Sequence, residues 1–510
     1  MLTFIDTFLN KTAMYRLVLY VLCAFFLSAL GLSFFGVLPF GPTDLLASAL
    51  IIGGVSWVVN YVFAKVFEAP ANTESVYITA LILIFLITPP QAGDYTSYLP
   101  LAVWAAVWAM ASKFMFAIGK KHLFNPAAFA VVLTALAFGG SATWWIGMPY
   151  LLPVVAVGGA LIVRKIHRAD MVFTFLATAL AATVIGFWLS RGMDPVTALS
   201  QTVLNSALVF FACVMLTEPL TTPPSRWLRI AYGALVGFLF SPALHLGTFY
   251  STPELALVIG NLFSYLVSPK EKLILTLKEM RHIAADTYEF IFANDRPFAF
   301  KPGQYMEWTL AHRDPDSRGI RRYFTIASSP TEKDIKIGIK FYPEPSSFKN
   351  KLFYMGPGTQ IIASQTAGDF VMPKDTTQPL VFIAGGIGVT PFRSMIQYLL
   401  DTKEPRNVVL FYCNKTAADI AYKDIFDHAA TELGTKVVYI ITDPKETITD
   451  PAMRRGPLDA NTIAAQVPNF QNAQYYISGP HGMVAAYQTT LKSMGISSKN
   501  ITTDYFPGFA

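Results

Sequence analysis

Charge is what this sequence has little of. Of its 510 residues only 14% are Asp, Glu, Lys or Arg, against 53% hydrophobic, a balance too apolar for a chain bathed on all sides by water. The scarcity is uneven. Up to Ser268 there are twelve Lys plus Arg and nine Asp plus Glu, which leaves 27 of the 39 basic and 24 of the 33 acidic residues for the remainder. Each half nets +3, so density and not sign separates a lipid-seeking front half from a back half of ordinary soluble character. No basic run marks a nucleic-acid partner. Cysteine is scarcer still: Cys23, Cys213 and Cys413 stand far apart without CxxC or CxxxxC spacing, so neither a disulfide framework nor an iron–sulfur or zinc site is indicated. Of the seven histidines, His122, His167 and His245 fall in the front half, all near the ends of apolar runs, and none is spaced to clamp a haem. The buried chain of ionisable residues that ion pumping uses is also missing.

What the front half does have is ten apolar segments, near 15–38, 43–66, 75–90, 97–118, 124–140, 147–163, 171–190, 196–216, 228–245 and 253–268. Each meets or approaches the ~20 residues of a bilayer-crossing helix. Lys11 and Arg16 precede the first run without a small-residue cleavage site, which reads as a membrane helix and not a removed signal. With the N-terminus in the cytoplasm, eleven Lys and Arg fall on that side and only Arg191 on the other, as the positive-inside rule asks. An even number of spans returns the chain to the cytoplasm at Pro269. The ten also divide into two fives: "TALILIFLITPP" ends the third as "FFACVMLTEPLTTPP" ends the eighth, and "NPAAFAVVL" opens the fifth where "TPELALVIG" opens the tenth. Five spans invert topology, so this predicts an inverted repeat whose Pro-interrupted ends meet near the midplane. Candidate groups at those ends are Thr88, Asn125, Thr217, Glu218, Thr221 and Thr222, with Glu218 open to two readings, a solvated rim residue or a functional carboxylate.

The "KKHLFNPAAF" stretch, the "LTEPLTTPP" turn before "RWLRIAYGALVGFLF" and the ten-span repeat resemble the membrane subunits of the sodium-pumping NADH:quinone reductase and the Rnf complex, their subunits B and D, over about residues 15–268. That family carries FMN on a threonine in a Ser-Gly-Ala-Thr motif. This chain lacks the motif; its nearest string, "GGSAT", ends in Thr143 after the fifth span. The resemblance therefore implies non-covalent FMN in the membrane half, or none. Ser141 and Thr143 read as loop residues ahead of Trp144 and Trp145, which read as an interfacial aromatic anchor.

From Lys270 the pattern becomes short alternating strands, "DTYEFIFAN", "GQYMEWTL", "RRYFTIASS" and "DIKIGIKFY", which predicts a small antiparallel β-barrel. After about Pro379 strands such as "PLVFIA", "NVVLFYC" and "AQYYISG" alternate with helical stretches, the pattern of a doubly wound parallel sheet. The domains expected are thus 1–268, polytopic and helical in the membrane; 271–375, a six-stranded antiparallel barrel; and 376–510, an α/β Rossmann-like domain. In "RRYFTIASSP" a cation, an aromatic and a hydroxyl alternate on one strand, the residue types that grip a phosphate, a ring face and a ring nitrogen. Ser346 and Ser347 open a short helix whose free amides suit a pyrophosphate. "PLVFIAGGIGVTPFRSMI" places Gly385, Gly386 and Gly388 between strand and helix, where backbone can approach a second nucleotide. Thr390-Pro391 stands where a third glycine is usual.

Together these motifs resemble the ferredoxin–NADP reductase family over about residues 271–510. The resemblance puts that family's Arg-x-Tyr-Ser on Arg322, Tyr323, Phe324 and Thr325. It implies FAD held at its pyrophosphate by Arg322 and Ser347, stacked on Phe324, and approached at N5 by Thr325. NADH or NADPH would lie on Gly385, Gly386, Gly388, Thr390 and Pro391, with Ser478, Gly479 and Pro480, in place of the family's Cys-Gly-Pro, and Met483 at the nicotinamide. The tail "TDYFPGFA" supplies Asp504 and Phe506 as a cover for the flavin. Thr325 and Ser478 are the expected catalytic contacts. Lys415 and Lys423 offer charge for a 2′-phosphate without an arginine fork, which leaves NADH and NADPH equally open. The expected activity is a flavoprotein oxidoreductase of the inner membrane that takes hydride from cytoplasmic NAD(P)H and passes electrons through the bundle to quinone or an extracytoplasmic acceptor. The alternative is an anchored reductase serving a soluble acceptor.

Overall fold

The computed structural model describes residues 12–67, 73–90, 94–118, 121–139, 142–247, 249–268, 272–294, 296, 298–313, 315–316, 319–448, 450 and 453–504, together with Ile5 and Leu9. It divides at Ser268 and Pro269 into two compact units.

The first unit is helical: α1 (Met14–Phe34), α2 (Pro42–Val66), α3 (Thr73–Leu86), α4 (Tyr95–Met115), α5 (Pro126–Phe138), α6 (Leu152–Ile166), α7 (Ala169–Arg191), α8 (Pro195–Leu204), α9 (Leu208–Met215), α10 (Arg226–Leu239) and α11 (Pro253–Val267). Every expected apolar segment carries a helix. Among the described residues α1, α2, α4 and α7 are the helices long and apolar enough to cross a membrane, and α8 with α9, bent by 63°, adds a fifth if the pair is counted as one span. The remaining helices have 13 to 15 residues, about 20 Å at 1.5 Å per residue and short of the ~30 Å hydrocarbon thickness. Proline punctuates these helices: Pro126 and Pro253 start α5 and α11, Pro89-Pro90 follow the end of α3, and Pro223-Pro224 stand just before α10. The Asn125 side chain caps α5 by accepting from the Ala128 N–H at 3.1 Å, and Thr252 caps α11 through the Leu255 N–H. A two-stranded hairpin precedes each of these helices, β1 (Ala117–Ile118) with β2 (Lys121–His122) and β3 (His245–Leu246) with β4 (Phe249–Tyr250). Hairpin followed by a short, Pro-initiated helix thus occurs at the end of each expected five. Close packing elsewhere rests on glycine: a Cβ on Gly233 or Gly237 of α10 would lie 2.6 Å from the Met171 or Phe175 carbonyl oxygen of α7.

Trp144 and Trp145 depart from expectation. They are buried, at 8% and 3% exposure, and do not form an exposed interfacial anchor. The cause lies in the end of α3, whose last carbonyls lack helical partners. The Trp145 indole donates to Ile84 O at 2.6 Å, the Thr143 and Trp144 N–H groups to Leu86 O, and the Trp144 indole to Glu254 Oε2 at 2.9 Å.

The second unit begins with six antiparallel strands, β5 (Lys272–Ala284), β6 (Thr287–Ala293), β7 (Tyr305–Thr309), β8 (Arg321–Thr325), β9 (Ile335–Lys340) and β10 (Gln360–Ala367), in the order β8-β7-β10-β5-β6-β9. The helix α12 (Ser347–Phe353) lies between β9 and β10. Trp308, Phe290, Phe292 and Ile337 are among the buried residues that form the core of this sheet. A parallel sheet follows: β11 (Leu380–Gly385), β12 (Val408–Asn414), β13 (Lys436–Ile441), β14 (Met453–Arg455), β15 (Gln474–Ser478) and β16 (Ile501–Asp504), ordered β14-β13-β12-β11-β15-β16. The helices α13 (Thr390–Thr402), α14 (Lys423–Leu433), α15 (Ala460–Gln466) and α16 (His481–Ser493) connect these strands. β11 and β12 are buried along their whole length between two apolar layers, which is why they read as unbroken apolar runs. Strand order reverses between β11 and β15, and a ligand crevice is expected outside the carboxyl ends at that reversal.

Candidate functional site

β8 alternates its side chains, so Arg322 and Phe324 share one side and Tyr323 and Thr325 the other. Arg322 is only 4% exposed. Its guanidinium donates to the carbonyl oxygens of Gly319 at 3.0 Å and Arg321 at 2.6 Å, pairs with Asp316 Oδ1 at 3.1 Å and lies 5.3 Å over the Phe348 ring. The other Asp316 oxygen accepts from the Ser347 backbone N–H at 3.1 Å, and the Ser347 hydroxyl accepts from the Asp316 N–H at 2.9 Å with His312 Nε2 at 3.0 Å. Ser346 caps the helix through the Lys349 N–H. A buried arginine and a backbone amide therefore converge on one carboxylate, which stands in for a compact anion such as a phosphate group. The residues present fit a nucleotide pyrophosphate on that donor set. Half-buried Phe324 tilts against Phe348 with centroids 5.9 Å apart, Tyr323 donates to Glu307 Oε2 at 2.9 Å, and Thr325 closes the strand.

At the strand reversal the glycines differ in purpose. A Cβ on Gly388 would lie 2.5 Å from Gly479 Cα and 2.6 Å from Ser478 O; one on Gly385 would strike Met483 and come within 3.1 Å of Pro480. These two exist so that the loops after β11 and β15 can touch. Gly386, at φ +51° with nothing within 4 Å of its added Cβ, is the one that leaves backbone open to a ligand. Thr390, whose hydroxyl donates to Ile387 O at 3.2 Å, and Pro391 then begin α13. Ser478 is buried beside Asp504, its register neighbour, and donates to Asp504 Oδ2 at 3.2 Å. Burial pushes the Asp504 carboxyl up to about 7, with the Ser478 hydrogen bond opposing the shift.

The structure thus gathers Arg322 and Ser347 at the Asp316 carboxylate, with Ser346 capping the same helix, and Gly385, Gly388, Ser478, Gly479, Pro480 and Met483 at one loop junction. Phe506 lies outside the described residues, as does Ser141. Lys423 is held by Asp427 at 2.6 Å and Asp450 at 3.3 Å. Sequence reasoning missed Asp316 and His312, because their partner Ser347 lies 31 residues beyond Asp316 and no local pattern joins them. In the first unit, Asn125 donates to Glu218 Oε2 at 3.0 Å, its N–H donates to Asn261 Oδ1 at 2.7 Å, and Asn261 donates to the Tyr232 hydroxyl at 3.1 Å. Thr221 also reaches Glu218. The expected midplane groups Asn125 and Glu218 therefore belong to one hydrogen-bonded knot, with Thr217 turned to Cys213 O and Thr222 beside Arg168. Thr143, the nearest counterpart of a flavin-bearing threonine, is occupied with Thr88 and Leu86 O.

Residues 382–489 match the family described as the oxidoreductase NAD-binding domain. Among curated proteins, the reductase subunit of an aromatic O-demethylase from Amycolatopsis is 29% identical over 245 residues, 47% of this chain and 70% of that protein. The glycine betaine monooxygenase reductase subunit of Chromohalobacter salexigens is 25% identical over 43% of this chain and 60% of its own length. A flavohemoprotein of Pseudomonas putida is 28% identical over 40% and 51%. Among solved structures, an Amycolatopsis cytochrome P450 reductase superposes with a TM-score of 0.42 at 27% identity, covering 47% of this chain and 71% of that one. A Neisseria gonorrhoeae ferredoxin NADP+ reductase with bound FAD and NADP gives 0.40 at 16%, covering 46% and 97%. The chain spans between about half and 70% of the length of these curated relatives. The matched segment and the relatives define the second unit as an NAD(P)H-dependent flavoprotein oxidoreductase. It is similar to ferredoxin–NADP reductase-like FAD- and NAD-binding domains.

Proposed function

We propose that the protein is a membrane-bound oxidoreductase in which cytoplasmic NAD(P)H delivers reducing equivalents to the second unit and the helical unit passes electrons to quinone or an extracytoplasmic acceptor. The observation that carries this reading is the anion cradle of Arg322 and Ser347 in the same unit as a glycine loop at a sheet reversal, on a chain that also bears four helices long enough to span a membrane. In this reading Arg322 and Ser347 hold the FAD pyrophosphate, Phe324 covers a ring face, and Thr325 presents its hydroxyl toward the ring. FAD, when bound, supplies the hydride acceptor and converts a two-electron donor into single-electron transfers. Gly386 admits the dinucleotide phosphates, Thr390 and Pro391 start the helix behind them, and Ser478 orients the nicotinamide from a position braced by Asp504. The helical unit is read as a ten-segment bundle of two inverted fives, whose short helices meet within the membrane and could hold a non-covalent FMN. The proposed setting is an inner membrane with the second unit in the cytoplasm.

A second reading is favoured by the relatives, two of which are named as the reductase subunits of an O-demethylase and a monooxygenase: the bundle is an anchor or transporter and electrons leave the second unit for a soluble acceptor. Vesicles of known sidedness separate the two. Under the relay, NADH or NADPH on the cytoplasmic face reduces a quinone analogue in the bilayer, and the protein holds a flavin that survives removal of residues 269–510. Only one flavin, lost with those residues, together with no quinone reduction, would leave the anchor standing.

A further inference from the structure

We propose that Arg393 is a positioning residue that fixes the flavin-binding strand against the nicotinamide-binding loop and so sets the approach over which hydride passes. The inference rests on the flavin and dinucleotide placements proposed above. Arg393 lies in the first turn of α13, three residues after Thr390, and is 3% exposed. Its guanidinium reaches out of the parallel-sheet domain into the segment that continues β8. Nη1 donates to Ala327 O at 3.0 Å, two residues beyond Thr325, and the two terminal nitrogens fork onto Glu332, Nη2 to Oε1 at 3.0 Å. The neighbouring Ser394 hydroxyl donates to Ser328 O at 2.7 Å. One helical turn thus holds both the start of the nucleotide helix and the strand that carries Arg322, Phe324 and Thr325.

Glu332 is itself fixed, accepting from the Ser329 N–H and Lys336 Nζ, both at 2.6 Å. On the other side the guanidinium sits 5.7 Å from the Tyr422 ring. Tyr422 is held at φ +59°, and its hydroxyl would be 2.6 Å from a Cβ on Gly338, whose other near neighbours are Thr390 Cγ2 and Ile387 Cδ1 of the nucleotide loop. The cluster therefore touches the glycine loop from beneath. It is poorly suited to stability alone: Arg393 Nε is buried without a hydrogen-bond partner. A buried ion pair contributes little stability over apolar packing, and its best-attested use is to specify one geometry. A planar fork that meets a carbonyl and a carboxylate together defines the relation of two segments in a way that a lysine's point charge does not.

The test uses the full-length protein in detergent, with Arg393→Lys and the milder Glu332→Gln, which leaves the Ala327 contact in place. Both variants should keep FAD at the wild-type ratio. Because a displacement of about 1 Å at a reacting centre costs up to about a hundredfold in rate, Arg393→Lys should slow flavin reduction in stopped flow by about tenfold or more. Glu332→Gln should slow it about threefold, and the dinucleotide Kd should change by less than about threefold in either. Amide hydrogen exchange should quicken in residues 326–332 and in the first turn of α13. Wild-type reduction rates in both FAD-loaded variants would overturn the proposal, as would unchanged exchange in those two segments. If Arg393→Lys does not fold, Glu332→Gln decides alone. A wild-type chain that neither nucleotide reduces would overturn the functional reading, and this inference with it; a wild type that is reduced alongside unimpaired variants would overturn this inference only.

Discussion

Asp316 occupies the position that gives Arg322 its predicted consequence. Two charge-assisted donors converge on its carboxylate, and each such bond is worth about 1.5–3 kcal/mol. Replacing Arg322 by Ala should therefore weaken FAD binding by about tenfold to a hundredfold, read as loss of the flavin absorbance on gel filtration. Asp316→Asn should act oppositely: with no carboxylate competing for the two donors, FAD should dissociate more slowly. Slower release from the Arg322 variant, or faster release from the Asp316 variant, would count against the cradle. Asp504 yields a prediction in pH. Its carboxyl is pushed up to about 7 by burial, so it stabilises the fold while protonated. That contribution is complete below the unfolded carboxyl value of ~4 and is lost as pH rises through 7. Melting temperature should fall between about pH 4 and pH 7 in the wild type and fall less in Asp504→Asn. Parallel profiles would show that the carboxyl is not held neutral.

At the scale of elements, the glycine loop separates contact from strain. Gly388→Ala must push a methyl into the Ser478–Gly479 backbone, spreading the two loops at the sheet reversal. It should weaken dinucleotide binding by about tenfold or more with FAD retained. Gly386→Ala meets open space and bears only the cost of a left-handed conformation, about 1–2 kcal/mol, so its effect on folding should exceed its effect on contact within the protein. Titration of both variants with NADH and NADPH checks the order; equal affinities for Gly388→Ala and wild type would sink the loop-contact argument. The antiparallel strands and the parallel sheet were legible because their signals are local: period-two alternation in "DIKIGIKFY" and fully apolar runs in "LVFIA" and "VVLFYC". The glycine spacing marks a strand-to-helix loop but not the reason for each glycine, since the Gly388–Gly479 approach joins residues 91 apart. The helices of the first unit were legible as apolar segments but not as lengths. Hydropathy does not register where a proline starts a helix or where Trp145 turns inward to satisfy the carbonyls left at the end of α3. The two-residue hairpin strands before α5 and α11 are too short to produce any periodicity.

Taken whole, the molecule joins two units with separate apolar cores. Each buries its own hydrophobic residues, so severing the chain at Pro269 removes no core from the second unit. Residues 269–510 alone should keep FAD and reduce a soluble dye with NAD(P)H at a rate within about twofold of the full chain, since both cradle and glycine loop lie beyond the cut. Reduction of a bilayer quinone discriminates, because it needs the helices only if electrons travel through them. Under the relay, the severed unit added to vesicles loses quinone reduction by well over tenfold while dye reduction stands. Under the anchor, the full chain and the severed unit reduce quinone equally poorly, and the helices affect only where the protein resides. A severed unit that reduced bilayer quinone as fast as the intact chain would remove the reason for assigning electron transfer to the bundle.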